Sequence, residues 1–178
     1  MPDRPPTDSA TVRRLPALTP AHARELAALL IDCVDGGASV GFMHPLPIVR
    51  ALEYWNRIGE AAARGQRAVL VAEDQGQIVG TVQLVLGLPD NQPHRADLSK
   101  MLVHRAARRR GLGAALVRAA ETLGRESGRS LLVLDTVTGT DAERLYLRLG
   151  WRRCGEIPGY ALWPRGGLCA TTFYYREL

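Results

Sequence analysis

The stretch that decides the reading is Leu102–Ala114, LVHRAARRRGLGA. An apolar, strand-like run ends at Val103, a short basic segment turns, and glycines at 111 and 113 open a helix-like run. The first turn of a helix leaves its N–H groups unpaired, and the helix dipole puts partial positive charge there. A phosphate oxygen satisfies both at once. Glycine permits positive φ and lets a bulky diphosphate approach the main chain without a Cβ in the way. Arginines add charge around the anion. The expected phosphate cradle is therefore Arg108, Arg109, Arg110, Gly111, Leu112, Gly113 and Ala114.

The spacing narrows the ligand. A nucleotide-triphosphate loop needs a Gly-Lys-Ser/Thr ending, which is missing here. A dinucleotide fingerprint needs G-x-G-x-x-G, and position 116 is Leu rather than the third glycine. What stands is Arg-x-x-Gly-x-Gly at 108, 111 and 113. Six residues alone fit an ordinary strand-to-helix turn equally well, so the flanking elements must decide.

Upstream, Thr11–Leu15 reads as a strand. Thr19 caps a helix with Pro20 at its first position, and Leu26, Leu29, Leu30, Cys33 and Val34 recur at helical spacing until Gly36-Gly37. A second helix begins at Pro47, with Ile48, Leu52, Trp55 and Ala62 expected along its apolar stripe, and closes at Gly65. Ala68–Glu73 and Ile78–Leu86 flank a Gly-containing turn and predict an antiparallel hairpin. Ala96–Val103 is a further strand. Gly113–Ser127 predicts a helix with a solvent-side Glu121–Arg125 pair. Leu131–Thr136 is a compact apolar strand. Thr140–Glu143 has the form of a capping box, opening a helix that stops at Gly150. Trp151–Ile157 and Ala170–Leu178 are expected as two last strands around a Pro/Gly-rich loop. The order β-α-α-β-β-β-α-β-α-β-β predicts one mixed α/β domain over residues 11–178. Residues 1–10, rich in proline and small polar residues, are expected to be a disordered leader. The Ala96–Thr136 unit should be a right-handed parallel crossover.

Bulk properties exclude other classes. The 178 residues carry a net charge of +5, with aromatics at only 6%. The densest charge, Arg105 with Arg108–Arg110, abuts glycines, which fits a small anion better than a nucleic-acid duplex. No run approaches the roughly 18 apolar residues of a membrane span. Cys33, Cys154 and Cys169 are odd in number and lack metal-ligand spacing, so neither a zinc site nor a disulfide framework is expected. A reducing cytoplasm is the expected location.

The Arg-x-x-Gly-x-Gly pattern, with its preceding strand and following helix, strand and Tyr-bearing helix, resembles the GNAT acetyltransferase superfamily over nearly the whole chain. Within it, GGASVGFM (36–43), KMLV (100–103), LLVLDT (131–136) and GEIPGY (155–160) are similar to segments of the tabtoxin-resistance acetyltransferases, which acetylate the amino group of a β-lactam-containing amino acid. The resemblance implies a mixed sheet of about seven strands with about four helices. It also implies acetyl-CoA as cosubstrate, no metal, and transfer to the amino group of a small compound, with toxin or antibiotic resistance as the role. A protein or peptide N-acetyltransferase and a non-catalytic acyl-CoA module stay open, as does a homodimer.

The chemistry needs an amine to lose a proton, an oxyanion to be held and a thiolate to be protonated. By resemblance, Tyr146 donates the last proton; a phenol of pKa ~10 is protonated at neutral pH. Packing within its helix is the competing role. Asp135 and Asp97 compete as base. Asp135 shares a strand face with Leu131 and Val133, and Asp97 one with Ser99 and Met101. Each also fits a strand-end hydrogen-bond acceptor. Backbone groups of Met101, Leu102 and Val103 are implied partners for the pantetheine arm. Ser39 and Phe42, in the glycine-bearing loop, and Tyr160, in the expected Pro158-Gly159 turn, are candidates for the acceptor pocket. His44 is read as either a substrate-orienting group or a loop residue without a role.

Overall fold

The computed structural model describes residues 10–178. The expected leader lies outside the described residues except for Ala10, which packs partly buried against the core. The elements are β1 (Thr11–Leu15), α1 (Pro20–Asp35), α2 (Ile48–Ala63), β2 (Arg67–Asp74), β3 (Gln77–Val85), β4 (Arg95–Val103), α3 (Leu112–Glu126), β5 (Leu131–Val137), α4 (Asp141–Arg148), β6 (Arg152–Leu162) and β7 (Leu168–Glu177). The seven strands form one mixed sheet in the order β1-β2-β3-β4-β5-β7-β6. Only β4 and β5 pair in parallel, as the crossover through α3 requires.

Helices cover both faces. Leu26, Leu30 and Val34 of α1 and Ala51, Trp55 and Ile58 of α2 pack on Val69, Val71 and Leu102. On the other face Leu112, Leu116 and Ala120 of α3 and Tyr146 of α4 pack on Leu70, Val82, Leu98 and Leu132. Alternate residues of β2 thus enter opposite cores, which explains its unbroken AVLVA run.

Several expectations change in detail. Ile48 shares the angular position of Trp55 but lies in the first turn of α2 and is 49% exposed; the buried stripe is Ala51, Trp55, Ile58. Glu121 does not face solvent with Arg125. It is buried and accepts the indole N–H of Trp151 at 2.9 Å. The capping box of α4 is displaced: Thr140 Oγ1 accepts the N–H of Glu143, but the Glu143 carboxylate takes the N–H of Gly139 at 2.6 Å rather than that of Thr140. β6 runs on past Ile157, so Tyr160 lies in an interruption of the β6–β7 register instead of a turn; the connecting loop comes after Leu162.

β4 carries the change with most consequence. Its pairing with β3 shifts register between Thr81 and Gln83, where Lys100 takes a φ of 51°. This bulge resets the alternation of side chains. Ala96 and Leu98 enter the α3 core, whereas Leu102 enters the α1/α2 core. Met101 packs toward α3, so it does not share a face with Asp97 and Ser99 as expected.

Candidate active site

β4 and β5 pair only over Arg95–Asp97 with Leu131–Val133. Beyond that point β4 stays on β3 and β5 stays on β7. The strands splay, and among the described residues no strand pairs with the β5-facing edge of β4 from Ser99 onward. A cavity of about 1000 Å³ fills the gap, running from the N-terminus of α3 past Met101–Val103 to Asp135 and Tyr146. A free strand edge presents evenly spaced main-chain donors and acceptors, which suit a ligand with amide groups of its own.

At the α3 end, Gly111 is the N-cap with a φ of 81°, and nothing lies within 4 Å of where a Cβ would stand. That is an open N-terminus of the kind a diphosphate needs. Gly113 has a different reason to be glycine: a Cβ there would come within 3.0 Å of Leu145, so the residue lets α3 close on α4. Of the three arginines, Arg108 and Arg109 line the cavity, and Arg108 Nε donates to the Val103 carbonyl at 3.1 Å. Arg110 does not line it; its guanidinium pairs with Asp74 at 2.7 Å. The turn leading into α3 is tied down by Asp32 of α1, which accepts the backbone N–H and the Nε of Arg105. Burial alone would raise the Asp32 carboxyl, but those two bonds hold it below the usual carboxylate range.

Tyr146 is buried, 4% exposed, with its ring 5.7 Å from that of Trp151 and 6.4 Å from that of Tyr174. Those neighbours are anchored: Trp151 by Glu121, Tyr174 by its hydroxyl donating to Glu143 at 2.8 Å. The Tyr146 hydroxyl has no protein partner among the described residues, and the side chain lines the cavity. Burial, then the charge of Asp135, pushes its phenol well above the ordinary range, so it is a neutral donor.

Across the splay lies a second cavity of about 360 Å³. It adjoins the first at Leu98, Ser99, Lys100 and Asp135. Asp135 is exposed into both. Asp97 lines only the second, and Arg95 Nη1 lies 2.8 Å from its Oδ1, an ion pair by distance but poorly aligned as a hydrogen bond. Burial, together with Asp135, pushes the Asp97 carboxyl up despite Arg95.

The expected acceptor-side residues separate. Ser39 lines the large cavity, its hydroxyl donating to the Leu162 carbonyl at 2.8 Å. Tyr160 lines it too, edge-on to Phe173. Phe42 lines neither cavity and instead packs edge-on against Tyr54 with centroids 5.3 Å apart. His44 is not idle: it bridges Asp35 at 3.1 Å and Arg165 at 3.3 Å, pinning the loop after α1 to the β6–β7 connection. Sequence reasoning passed over Lys100 and Tyr54. The signal for Lys100 was present, since Ser99-Lys100 breaks the polar–apolar alternation of ADLSKMLV where a bulge would.

The family model described as the acetyltransferase (GNAT) family matches residues 28–151. The chain therefore belongs to the GNAT acetyltransferase family, enzymes of the acyltransferase class. Among solved structures, it is similar to a ribosomal-protein-alanine N-acetyltransferase from Brucella melitensis, with 25% identity, a TM-score of 0.80, and 94% of this chain and 99% of that one covered. A GNAT superfamily phosphinothricin acetyltransferase from Sinorhizobium meliloti, in complex with acetyl-CoA, shares the fold at 19% identity and a TM-score of 0.79, covering 95% of this chain and 88% of that one. An N-acetyltransferase from Staphylococcus aureus Mu50 does so at 16% identity and a TM-score of 0.78, covering 96% and 99%. No helix among the described residues is long and apolar enough to cross a membrane.

Proposed function

We propose that the chain is an acetyl-CoA-dependent N-acetyltransferase acting on the amino group of a small compound. The observation that carries this is the continuous cavity from the open N-terminus of α3, along the free edge of β4, to Tyr146 and Asp135. Acetyl-CoA supplies the acetyl group as a thioester and leaves as the thiol. N–H groups of Gly111 to Ala114 face the diphosphate, with Arg108 and Arg109 at its flank. The main chain of Met101 to Val103 pairs with the pantetheine arm, and one N–H there holds the developing oxyanion.

Asp135 takes the proton of the incoming amine as the N–C bond forms, and Tyr146 gives its hydroxyl proton to sulfur as the C–S bond breaks. Asp135 is favoured over Asp97 because it borders both cavities, whereas Asp97 is already paired with Arg95. Likeness of four segments to tabtoxin-resistance acetyltransferases supports an acceptor of the β-lactam amino-acid kind and a detoxifying role. The similarity to a ribosomal-protein-alanine N-acetyltransferase favours a second reading, a peptide N-terminus as acceptor. A thiol-release assay with acetyl-CoA against small amines, β-lactam amino acids and alanine-initiated peptides separates the two. Release with a small amine is expected; release with peptides alone would overturn the first reading.

A further inference from the structure

Lys100 lines both cavities, and the reaction above does not use it. The bulge in β4 turns it toward α2, where its Nζ lies 5.9 Å from the centre of the Tyr54 ring. The Nζ also lies 3.8 Å from where a Cβ on Gly41 would stand, beneath the loop after α1. No carboxylate among the described residues comes within 4.0 Å of it. Its burial holds the ammonium below the ordinary lysine range, although Asp135 pulls it back up. A half-buried cation with no carboxylate in contact is stabilised when an anionic partner arrives.

Two further donors point the same way. Gln83 is fully buried, and its amide orientation is fixed: the oxygen accepts from Arg67 at 2.8 Å and the nitrogen donates to the Tyr54 hydroxyl at 3.1 Å. The Tyr54 oxygen thus accepts, leaving its own hydrogen to give. Burial keeps that phenol protonated. Ser99 borders both cavities, and its hydroxyl is buried without a partner. Lys100, Tyr54 and Ser99 share one small cavity with Asp97 and Asp135. Arg67 and Arg95 line it too, so hydrogen-bond donors and positive charge share the cavity with two carboxylates.

We infer that Lys100, with Tyr54 and Ser99, is a subsite for an anionic group on the acceptor, which is therefore an amine carrying a carboxylate or a comparably charged oxyacid group. This rests on the reading that the Asp135 face of the splay receives the acceptor. It deepens that reading by making the acceptor a zwitterion, whose ammonium end meets the aspartates and whose acid end meets Lys100.

The test titrates the full chain, saturated with coenzyme A, with the common L-α-amino acids and with their carboxamides, by calorimetry. The best acid is expected to bind about tenfold or more tighter than its amide, the size of one charge-assisted hydrogen bond. Lys100→Met should bring that ratio close to one with CoA affinity retained, and Lys100→Arg should preserve most of it. A wild-type ratio near one, no binding of any acid, or a ratio unchanged in Lys100→Met overturns the subsite. Thiol release is followed on the same pairs. Equal turnover of acids and amides removes the subsite but keeps the transferase. Acid-selective binding without thiol release keeps the subsite and removes the transfer.

Discussion

Asp32 of α1 receives both the backbone N–H and the Nε of Arg105, each at 2.9 Å, and so fastens the first helix to the turn that enters the phosphate cradle. The same carboxylate lies 3.6 Å from the Nε2 of His104. Asp32→Ala should lower stability by about 1–2 kcal/mol, the range for hydrogen bonds to a partly exposed charge. CoA affinity should fall roughly fivefold, equivalent to about 1 kcal/mol. Because the folded-state carboxyl titrates below its ordinary value, its contribution is complete above about pH 4 and is lost as pH falls through the folded-state value. The stability gap between wild type and Asp32→Asn, followed by thermal melts, should be flat near neutrality and close in acid.

The two glycines of the cradle should fail differently. Gly111→Val forces a branched residue into a left-handed conformation, costing about 1–2 kcal/mol, and places methyl groups in the open space before α3. CoA binding, measured by calorimetry, should be lost at concentrations that saturate the wild type. Gly113→Val instead collides with Leu145 and should lower stability by about 1–3 kcal/mol, chiefly separating α3 from α4.

Glu121 supports the active site from behind. It holds the Trp151 indole, and Trp151 packs on Tyr146. Glu121→Ala leaves that N–H buried without a partner and should cost about 1–3 kcal/mol in a denaturant titration. Turnover should fall with it, whereas Glu126→Ala on the exposed side of the same helix should change neither.

Much of this was legible in the sequence, for identifiable reasons. β2, covered on both faces, is a continuous apolar run, and α1 announces itself with Thr19 and Pro20, so the element order was recoverable. Residues whose role depends on a distant partner were not. Glu121 reads as a surface charge until Trp151, thirty positions on, is brought beneath it. Phe42 reads as pocket-lining until Tyr54 turns it aside. Arg110 reads as a phosphate ligand until Asp74 claims it. Asp97 and Met101 seemed to share a face because alternation was carried through the bulge at Lys100, where the pairing of β4 with β3 shifts register.

The two aspartates are separable by conservative replacement. Asp135→Asn should lower kcat about a hundredfold, the order expected for losing a general base. Asp97→Asn should act mainly on the acceptor KM, because Arg95 already offsets that charge. A larger kcat loss for Asp97→Asn than for Asp135→Asn would reverse their roles.

The most direct test of the account is thiol release from acetyl-CoA by the wild type and by Tyr146→Phe, with the best small amine of the panel. The account predicts release by the wild type and about a hundredfold lower kcat in Tyr146→Phe, with CoA affinity unchanged. No release with any small amine, or equal kcat in the two proteins, would contradict it.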